Sequence, residues 1–579
     1  MVSIEKRGNK LNESNATSNW MIYFLILGSI FTWSYSMIKS SQQMGDFGLI
    51  HSLSYSYFIS MALLLGSFIL ALRSTEDRRI FFAIILILIL IIFLTPSIIE
   101  GTSRFRFSYK VYGFAEYIIR NGNFNPNAIW YHDWPGSFLW ISMLSDIIKQ
   151  NDDFLILMYF PFIIQILYLF PLYIFLKSLF QNDKKIWISI WIFYIINFIN
   201  QDYMSPQAFA YLYYLIMLSI IVKLANIGTI DRSGTIDRNG TIDSNNTNYN
   251  NINYSNNISY KFTSVILISG LTITHMLTPM IVLSIIFFSA LFSPSSIKKN
   301  LFKFTLVLTI IMTVWVIYGA QQYLNWHLLD FFQNTFGGLD SYSQNIQQRV
   351  SGSPAHLIVS ELMIGTTLIS GVFAIIGIIL SFYRKDKISK LNIKLVSMII
   401  AIMVLAKSPY GGEMIMRIFL FILPFVSFFI AQIYVSKAKI ILTVFLIVMT
   451  PLNLVTHYGN EKYDYVSKAE LNSFDFYYKN VDNKNVTGGY PITYYKFAEK
   501  FNYVQFKEFK DLKWDGTKYT TETGNKNNMM VSRGDKEQLA IFSNDVTFIN
   551  EFENNLMNSN NYVKVYANSD VNLYNIRSR

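Results

Sequence analysis

The sequence predicts an all-α polytopic membrane protein of about 13 transmembrane helices, with a small C-terminal extracytoplasmic α+β domain. Three observations predict this class. Of the 579 residues, 52% are hydrophobic and only 15% are charged, which is less charge than a soluble protein of this length carries. The apolar residues form blocks of roughly 16 to 25, the length that crosses a bilayer. From residue 457 onwards the composition becomes charged and polar.

The predicted spans are bounded to within a few residues. Together they form a predicted transmembrane domain over residues 20–456, after a polar tail at 1–19. No apolar core with a cleavage site follows that tail, so we interpret the first span as an anchor rather than a removed signal peptide. The spans lie at 20–38, 49–72, 80–98, 154–178, 186–200, 207–225, 261–275, 278–293, 301–320, 356–382, 392–407, 415–435 and 440–456.

Basic residues in short loops set the orientation of such a protein. With the N-terminus in the cytoplasm, most of these basic residues fall on the cytoplasmic side. The short external loops then contain almost no Lys or Arg. Most of the surplus positive charge behind the net charge of +11 then faces the anionic inner leaflet of the plasma membrane, and no nucleic-acid partner is needed to explain it. The internal basic residues are Arg73, Arg78, Arg79, Lys177, Lys184, Lys185, Lys298, Lys299, Lys303, Arg384, Lys385, Lys387, Lys390, Lys437 and Lys439.

One apolar block, at residues 134–148, is only about half a crossing long. Counting it as a span would place the later basic loops outside, so we predict a helix lying at the outer surface. The polar residues that could take part in binding or catalysis then gather on the external face. That face receives the loops 99–153, 201–206, 321–355 and 407–414 and the C-terminal domain 457–579.

Two further segments have a distinct composition. The cytoplasmic loop 227–260 repeats GTID at 228, 234 and 240 before an Asn-rich run, so we predict a low-complexity linker without a catalytic role. In the C-terminal domain, the patterns at 485–492, 538–543, 562–568 and 571–576 predict strands, and those at 475–480 and 548–557 predict helices. The sequence has no cysteine, which excludes disulfides and thiolate metal sites.

Glu100 directly follows the third span. A carboxylate at the mouth of a membrane helix is costly to keep there, so it predicts a site. It can act as a general base toward an acceptor hydroxyl or help to hold a divalent metal; a solvated loop acid is the alternative. Arg104, Arg106 and Lys110 follow, and can bind a phosphate that arrives in the membrane plane. Their presence favours the functional interpretation.

His132 and Asp133 lie in the motif YHDWPG, after a predicted amphipathic helix that ends at Asn121 and Gly122. The pair can ligate a metal or orient a substrate. On an extended strand neighbouring side chains point to opposite faces, so at most one of the two faces the site. An interfacial turn without a chemical role is an equally good interpretation.

Asp202 is a second external carboxylate, in the turn QDYMSP. Two carboxylates on separate outer loops suit a base with a metal or with an orienting partner. The alternative is a turn cap before Pro206. His275, at another external helix end, binds substrate or metal or else caps a turn beside Pro279, and we expect a supporting role.

Arg417 begins the twelfth span. An Arg in the first turn of a membrane helix is costly, and its planar fork matches a phosphate. The alternatives are snorkelling to the interface or an ion pair with Glu413. Because Gly411 and Gly412 allow a close backbone approach just upstream, we favour phosphate binding.

These residues together resemble the GT-C superfamily of integral-membrane glycosyltransferases. In the lipid A aminoarabinose transferases and protein O-mannosyltransferases, the first external loop runs from an acid through Arg and Tyr to an amphipathic helix ending in Gly, then a Pro turn and a half-length helix. Glu100, Arg104, Tyr109, Gly122 and Pro135 occupy those places in order.

Later parts of the chain, to about residue 456, also resemble this superfamily. Asp202 resembles the acid of the second external loop, and Arg417 resembles a late-span Arg that contacts donor phosphate. The turns QDYMSPQ, THMLTP and GGEMIMR are similar to those of uncharacterised archaeal and bacterial members. The departures are a lone Glu, Glu100, where many members have Asp or paired acids, the lack of a DxD in the second loop, and no visible oligosaccharyltransferase signature. The last of these argues against en bloc glycan transfer to Asn.

The resemblance implies a glycosyl transfer on the external face, from a polyprenyl- or dolichyl-phosphate sugar to a hydroxyl of a glycan, lipid or protein acceptor. Glu100 and Asp202 would be catalytic. Substrate or phosphate would contact Arg104, Tyr109, His132, Asp133, His275 and Arg417. No cofactor is required by this interpretation, and a divalent metal remains compatible with it. The rival interpretations are a flippase or transporter of lipid-linked glycans, a glycan-binding scaffold without turnover, and a glycan polymerase or ligase.

Overall fold

The computed structural model describes residues 2–127, 130–148, 154–230, 262–293, 295–325, 351–383, 388–405, 414–435, 438–481, 486–489, 506–507, 513–520, 528–543 and 547–577. Three predicted segments therefore lie largely outside the described residues. They are most of the cytoplasmic linker 227–260, residues 326–350 of the long external loop, and the turn at 407–413.

Helices dominate the described structure, and each of the thirteen predicted spans falls on a helix. Up to the end of the predicted transmembrane domain, the helices are α1 (Val2–Lys39), α2 (Leu49–Ser52), α3 (Tyr55–Ser74), α4 (Arg78–Phe93), α5 (Thr95–Glu100), α6 (Arg106–Asn121), α7 (Gly136–Ile148), α8 (Phe154–Leu179), α9 (Asp183–Ile196), α10 (Pro206–Ile230), α11 (Phe262–Thr274), α12 (Leu277–Leu291), α13 (Ser295–Tyr318), α14 (Pro354–Tyr383), α15 (Ile388–Val404), α16 (Met414–Ala431) and α17 (Lys439–Tyr458).

Seven helical segments of the described chain are long and apolar enough to cross a membrane. Shorter apolar helices accompany them, so the chain is a polytopic helical membrane protein, as predicted. The seven are Asn19–Lys39, Tyr55–Ser74, Arg78–Glu100, Leu155–Leu179, Lys298–Tyr318, Pro354–Tyr383 and a stretch within Lys439–Asn480.

Prolines interrupt several of these helices, and hydroxyl groups of neighbouring elements bind the carbonyls that the prolines leave open. A proline has no N–H, so the carbonyl four residues earlier loses its helical partner. Pro424 opens the Leu420 carbonyl of α16, which accepts a hydrogen bond from the Tyr211 hydroxyl at 3.0 Å. Pro96 separates α4 from α5, and the Ile92 carbonyl accepts from the Tyr458 hydroxyl at 2.7 Å. Buried hydroxyls thereby join neighbouring helices at the turns where proline removes a helical hydrogen bond.

The same arrangement at Pro161 fixes the first external loop. Pro161 lies inside α8 and opens the Leu157 carbonyl, which accepts from the Ser103 hydroxyl at 3.2 Å. The neighbouring Met158 carbonyl accepts from the Ser97 hydroxyl at 2.5 Å. Both serines flank Glu100 in sequence, so this broken turn of α8 holds the segment that carries Glu100.

The C-terminal region, residues 457–579, contains a five-stranded mixed sheet in the order β2-β1-β5-β7-β6 and a separate β3–β4 hairpin. Helices pack beside the sheet, and one hydrophobic cluster joins α21 to strands β5, β6 and β7. The elements are α18 (Glu461–Asp464), α19 (Lys468–Asn480), β1 (Val486–Thr487), β2 (Phe506–Lys507), β3 (Lys513–Trp514), β4 (Tyr519–Thr520), β5 (Asn528–Ser532), α20 (Arg533–Gln538), a π-helix (Leu539–Ser543), α21 (Thr547–Asn558), β6 (Tyr562–Ala567) and β7 (Val571–Ile576).

The structure confirms most of the elements predicted in this region. Strands β6 and β7 and helix α21 lie where the patterns placed them. The strand predicted at 538–543 is wrong, because α20 continues there into the π-helix. A capping box, in which the Ser532 and Asp535 side chains each bind the other's backbone N–H, starts a helix just upstream, and that local signal outweighs the apolar run.

The C-terminal region packs directly on the first external loop. The Thr102 hydroxyl donates to the Val466 carbonyl at 2.6 Å, and Arg106 pairs with Glu470 at 3.0 Å. Gly534 lies against the Arg106 guanidinium, where even a Cβ atom would be 1.4 Å from Nη1. The region therefore forms part of the surroundings of Glu100.

Candidate active site

Glu100 is the last residue of α5, and Gly101 then turns the chain with a φ of 63°. Its side chain is only 1% exposed. In the described part of the chain, no N–H or hydroxyl donor lies within hydrogen-bond distance of either carboxyl oxygen. The carboxyl nevertheless lies within electrostatic reach of Glu461, Arg104 and Asp464. A buried acid without a donor is unusual, because such a group normally has a hydrogen-bond partner.

Arg104 connects three parts of the chain at this site. Its Nε donates to both Glu461 oxygens at 2.8 and 2.9 Å, and Nη1 donates to both Asp202 oxygens at 2.9 and 3.1 Å. Nη2 donates to Asn200 Oδ1 and to the His457 carbonyl, each at 3.1 Å. All three guanidinium nitrogens are thus engaged. A phosphate can reach Arg104 only by displacing one of these acceptors.

Asp202 is held as an ionised carboxylate. Burial raises its pKa, but the charge of Arg104 and the hydrogen bond with His457 outweigh that effect and lower the pKa to about 2. His457 Nε2 lies 3.5 Å from Asp202, and both side chains are buried. A carboxylate with so low a pKa is a weak base at neutral pH, so its position suits orienting Arg104 better than taking up a proton.

Tyr109 and Arg106 fix the loop that follows Glu100. The fully buried Tyr109 hydroxyl accepts a hydrogen bond from the Ser103 N–H at 3.1 Å. Glu470 receives Arg106 on one oxygen and Arg533 at 3.2 Å on the other. The structure thus places Tyr109 as a support of the backbone next to Glu100.

His132 and Asp133 lie in a short 3-10 turn, Trp130–Asp133, so the extended strand assumed from the sequence is wrong. His132 Nδ1 accepts from the Asn125 N–H at 2.9 Å, and Nε2 lies 3.1 Å from the Phe114 carbonyl. Burial lowers the pKa of His132 and keeps the ring neutral. Asp133 accepts from the Tyr323 N–H at 2.6 Å. These contacts brace the turn against α6 and the segment after α13, apart from Arg104.

His275 follows the end of α11, and Arg417 lies in the first turn of α16. The Arg417 guanidinium lies within electrostatic reach of the His275 ring. His275 Nδ1 accepts from the Thr278 hydroxyl at 3.0 Å, so the ring caps the start of α12. Phe419, two residues after Arg417, stacks on Phe198 at 5.2 Å, which brings the start of α16 beside the end of α9. Arg417 therefore lies near the end of α9. The neighbouring Glu413 lies outside the described residues.

An apolar cavity of about 660 Å³ lies between α7, α8 and α10. The indole N–H of Trp140 donates to the Tyr213 hydroxyl at 3.0 Å, and both side chains line the cavity. The cavity includes Tyr159 and Phe160, in the turn of α8 that also binds Ser97 and Ser103. Its lining is Trp140, Leu144, Ile148, Leu155, Ile156, Tyr159, Phe160, Ile163, Ile164, Leu167, Phe209, Leu212, Tyr213 and Ile216.

The described residues contain no group of three or more His, Asp and Glu side chains arranged to hold a metal ion. They do contain site residues that the sequence reasoning missed, namely Glu461, His457 and Glu470. A signal for the first two was available, since HYGNEKYD places ionisable groups at the mouth of the last span, just as Glu100 lies at the mouth of the third.

Comparisons with known proteins give structural neighbours only. No protein-family model matches the chain, and no curated protein matches its sequence. The crystal structure of the Archaeoglobus fulgidus oligosaccharyltransferase complex with Zn and sulfate is similar at 13% identity and a TM-score of 0.44, covering 72% of this chain and 62% of that one. The same enzyme tethered to an acceptor peptide with the NVT sequon gives 12% and 0.45, covering 72% and 63%.

A further structure is the archaeal oligosaccharyltransferase AglB from Archaeoglobus fulgidus, in complex with an inhibitory peptide and a dolichol-phosphate. It is similar at 11% identity and a TM-score of 0.44, covering 80% of this chain and 72% of that one. This chain spans less than two thirds of the length of the first two neighbours. The function proposed below rests on the site residues of this chain and not on this similarity.

Proposed function

We propose that the chain is a membrane glycosyltransferase, which moves a sugar from a polyprenyl- or dolichyl-phosphate donor to an acceptor hydroxyl on the external face. The observation that carries this proposal is the cluster at the mouth of α5. There the buried carboxyl of Glu100 adjoins Arg104, which is held between Asp202 and Glu461. The resemblance of the sequence to GT-C glycosyltransferases supports the same reaction.

The donor has an apolar tail and an anionic head, and both have a place in this proposal. The cavity between α7, α8 and α10 is lined almost wholly by apolar side chains and has the chemistry to take an isoprenoid chain. Arg417 would bind the phosphate, since its fork can donate to two oxygens. Helix α10 connects the cavity with the helix that carries Arg417. Phe209 of α10 lines the cavity, and the Tyr211 hydroxyl of α10 donates to a carbonyl of α16.

Lys110 offers a second cation for the phosphate. Its ammonium lies 5.3 Å from the ring centre of Tyr131 and 5.8 Å from that of Phe114. Burial lowers its pKa to about 8, so it stays mostly protonated at neutral pH. A partly desolvated cation interacts more strongly with an arriving anion than a fully hydrated one does.

Glu100 is the proposed base. It would take the proton of the acceptor hydroxyl as that oxygen attacks the anomeric carbon and the bond from that carbon to the phosphate oxygen breaks. Such proton transfer typically contributes about 10²- to 10⁴-fold to a rate. Arg417 would stabilise the charge that the departing lipid phosphate gains. Arg104 and Asp202 would hold the cluster in place, and the mechanism needs no step through a metal.

The test is sugar transfer from labelled polyprenyl-phosphate and dolichyl-phosphate sugars by the full chain in membranes. We expect wild type to transfer at least one sugar. Arg417→Ala should raise the Kd for the donor about tenfold or more, since it removes a charge-assisted contact to phosphate. Arg78→Ala is the matched control, because Arg78 pairs with Asp183 and is 54% exposed. It should leave the Kd unchanged.

Two results would contradict the proposal. Donor binding without transfer of any sugar would indicate a non-catalytic glycan-binding scaffold. Movement of the labelled headgroup across the membrane without transfer would indicate a flippase. A headgroup translocation assay on the same vesicles separates these two outcomes.

A further inference from the structure

We propose that Glu461 is a second member of the base, forming with Glu100 a buried acid pair that shares one proton. This inference rests on the proposed function and assigns a role to a residue beyond the transmembrane domain. Glu461 begins α18, three residues after the last membrane helix ends at Tyr458. Its side chain is 1% exposed, like that of Glu100.

The charges around the pair can be counted from the structure. Arg104 is the only cation hydrogen-bonded within the described cluster to both Asp202 and Glu461. One positive charge therefore already faces two carboxylates. Glu100 is a third buried carboxyl in the same space, and no donor reaches its oxygens there. A third buried negative charge without a partner is too costly, so one proton stays on the pair.

The remaining groups that face Glu100 do not change this count. Asp464 lies within electrostatic reach of the pair and adds an acid rather than a cation. Tyr109 and Tyr465 also lie near Glu100, and both are neutral phenols. The other buried arginine of this region, Arg106, is bonded to Glu470. The proton is therefore shared most readily between Glu100 and Glu461.

A pair with one proton and one negative charge can act as a base once. The O–H bond of the acceptor breaks and its proton goes to the pair, while the oxygen electrons form the new bond to the anomeric carbon. The carbon–oxygen bond to the phosphate breaks, and its electrons leave with the lipid phosphate. The pair then carries two protons and no charge, and it returns one proton to external water. Two carboxyls that share a proton are a known way to tune such chemistry.

Infrared spectroscopy of the full chain tests the shared proton without any substrate. Protonated carboxyls absorb apart from carboxylates, and the difference between wild type and Glu100→Gln isolates the Glu100 band. We expect this band in wild type at neutral pH. In Glu461→Gln the amide oxygen can still accept from Arg104, but Arg104 then faces one carboxylate, Asp202, instead of two, and its charge can stabilise an ionised Glu100. Because the pKa of Glu100 should then fall below neutral pH, more than half of these carboxyls should ionise, and the band should fall about twofold or more.

Glu461→Asp is the matched variant, because it keeps the charge and should keep the band. The proposal is overturned if wild type has no Glu100 band, or if the band is equally strong in Glu461→Gln. The transfer assay distinguishes this failure from that of the proposed function. A wild-type chain that transfers sugar but lacks the band refutes the acid pair alone, whereas a band without any transfer refutes the glycosyltransferase proposal alone.

Discussion

Removal of the Glu470 carboxylate should release the C-terminal region from the first external loop. Glu470 is fully buried and accepts four hydrogen bonds, from Arg106 at 3.0 Å, Arg533 at 3.2 Å, and the N–H groups of Ser467 and Gly534 at 3.1 Å. In Glu470→Ala all four donors lose this carboxylate, and the buried Arg106 loses its ion pair but keeps a longer-range interaction with Asp535. Removing one partner of a buried ion pair costs about 3–5 kcal/mol.

This energy predicts a measurable change in proteolysis. Taking the lower value of about 3 kcal/mol, the population with an undocked C-terminal region rises roughly a hundredfold, since each 1.4 kcal/mol is a factor of ten. Trypsin cleavage within residues 461–579 of the full chain should accelerate by a similar factor, provided that opening is fast relative to cleavage.

Glu537→Ala is the control for this experiment. Glu537 pairs with Lys462 at 3.1 Å, but the two side chains are 17% and 29% exposed. A pair this close to solvent contributes about 1 kcal/mol or less, so cleavage should accelerate at most about fivefold. If Glu470→Ala also stays within about fivefold of wild type, the buried ion cluster does not hold the two parts together, and the reasoning is refuted.

Three other predictions follow from the described contacts. Tyr211→Phe should lower the free energy of unfolding by about 1 kcal/mol in the wild-type background. The loss should be much smaller in the Pro424→Ala background, because the backbone N–H at position 424 can then donate to the Leu420 carbonyl. Equal losses in both backgrounds would contradict this. Gly534→Ala should accelerate trypsin cleavage of the C-terminal region strongly, because its Cβ would overlap the Arg106 guanidinium, and unchanged cleavage would refute the packing. Because burial lowers the folded pKa of His132 below its usual 6.5, the unfolded loop binds a proton first, so hydrogen-exchange protection of residues 114–134 should fall as the pH drops below 6.5. His132→Gln should abolish that pH dependence, and a dependence that survives it would assign the effect to another group.

The positions of the helices could be predicted from the sequence because each apolar block reports directly on the length of a span. The principle that ionisable groups at a span mouth indicate a site identified Glu100, Arg104 and Asp202 together. The structure brings these three side chains into one cluster. It also brings Arg417 within electrostatic reach of His275, which no local pattern in the sequence indicated.

The partners of Arg104 could not be predicted in the same way. Glu461 lies 357 residues further along the chain, and a single sequence gives no signal for a contact at that distance. The sequence therefore offered Arg104 as a free phosphate ligand, whereas packing of the C-terminal region surrounds it with acceptors. His132 illustrates a different limit, since an assumed strand determined the predicted side-chain directions and the chain forms a 3-10 turn instead.

The measurement that tests the central claim most directly is the kcat and the donor Kd of Glu100→Gln compared with wild type. The substitution keeps the size of the side chain and removes its ability to accept a proton. We predict that kcat falls by about 10²-fold or more while the donor Kd stays within a few fold, because Glu100 acts on the acceptor proton and not on the lipid phosphate. A Glu100→Gln chain that transfers sugar at the wild-type rate would contradict the account and place the base elsewhere.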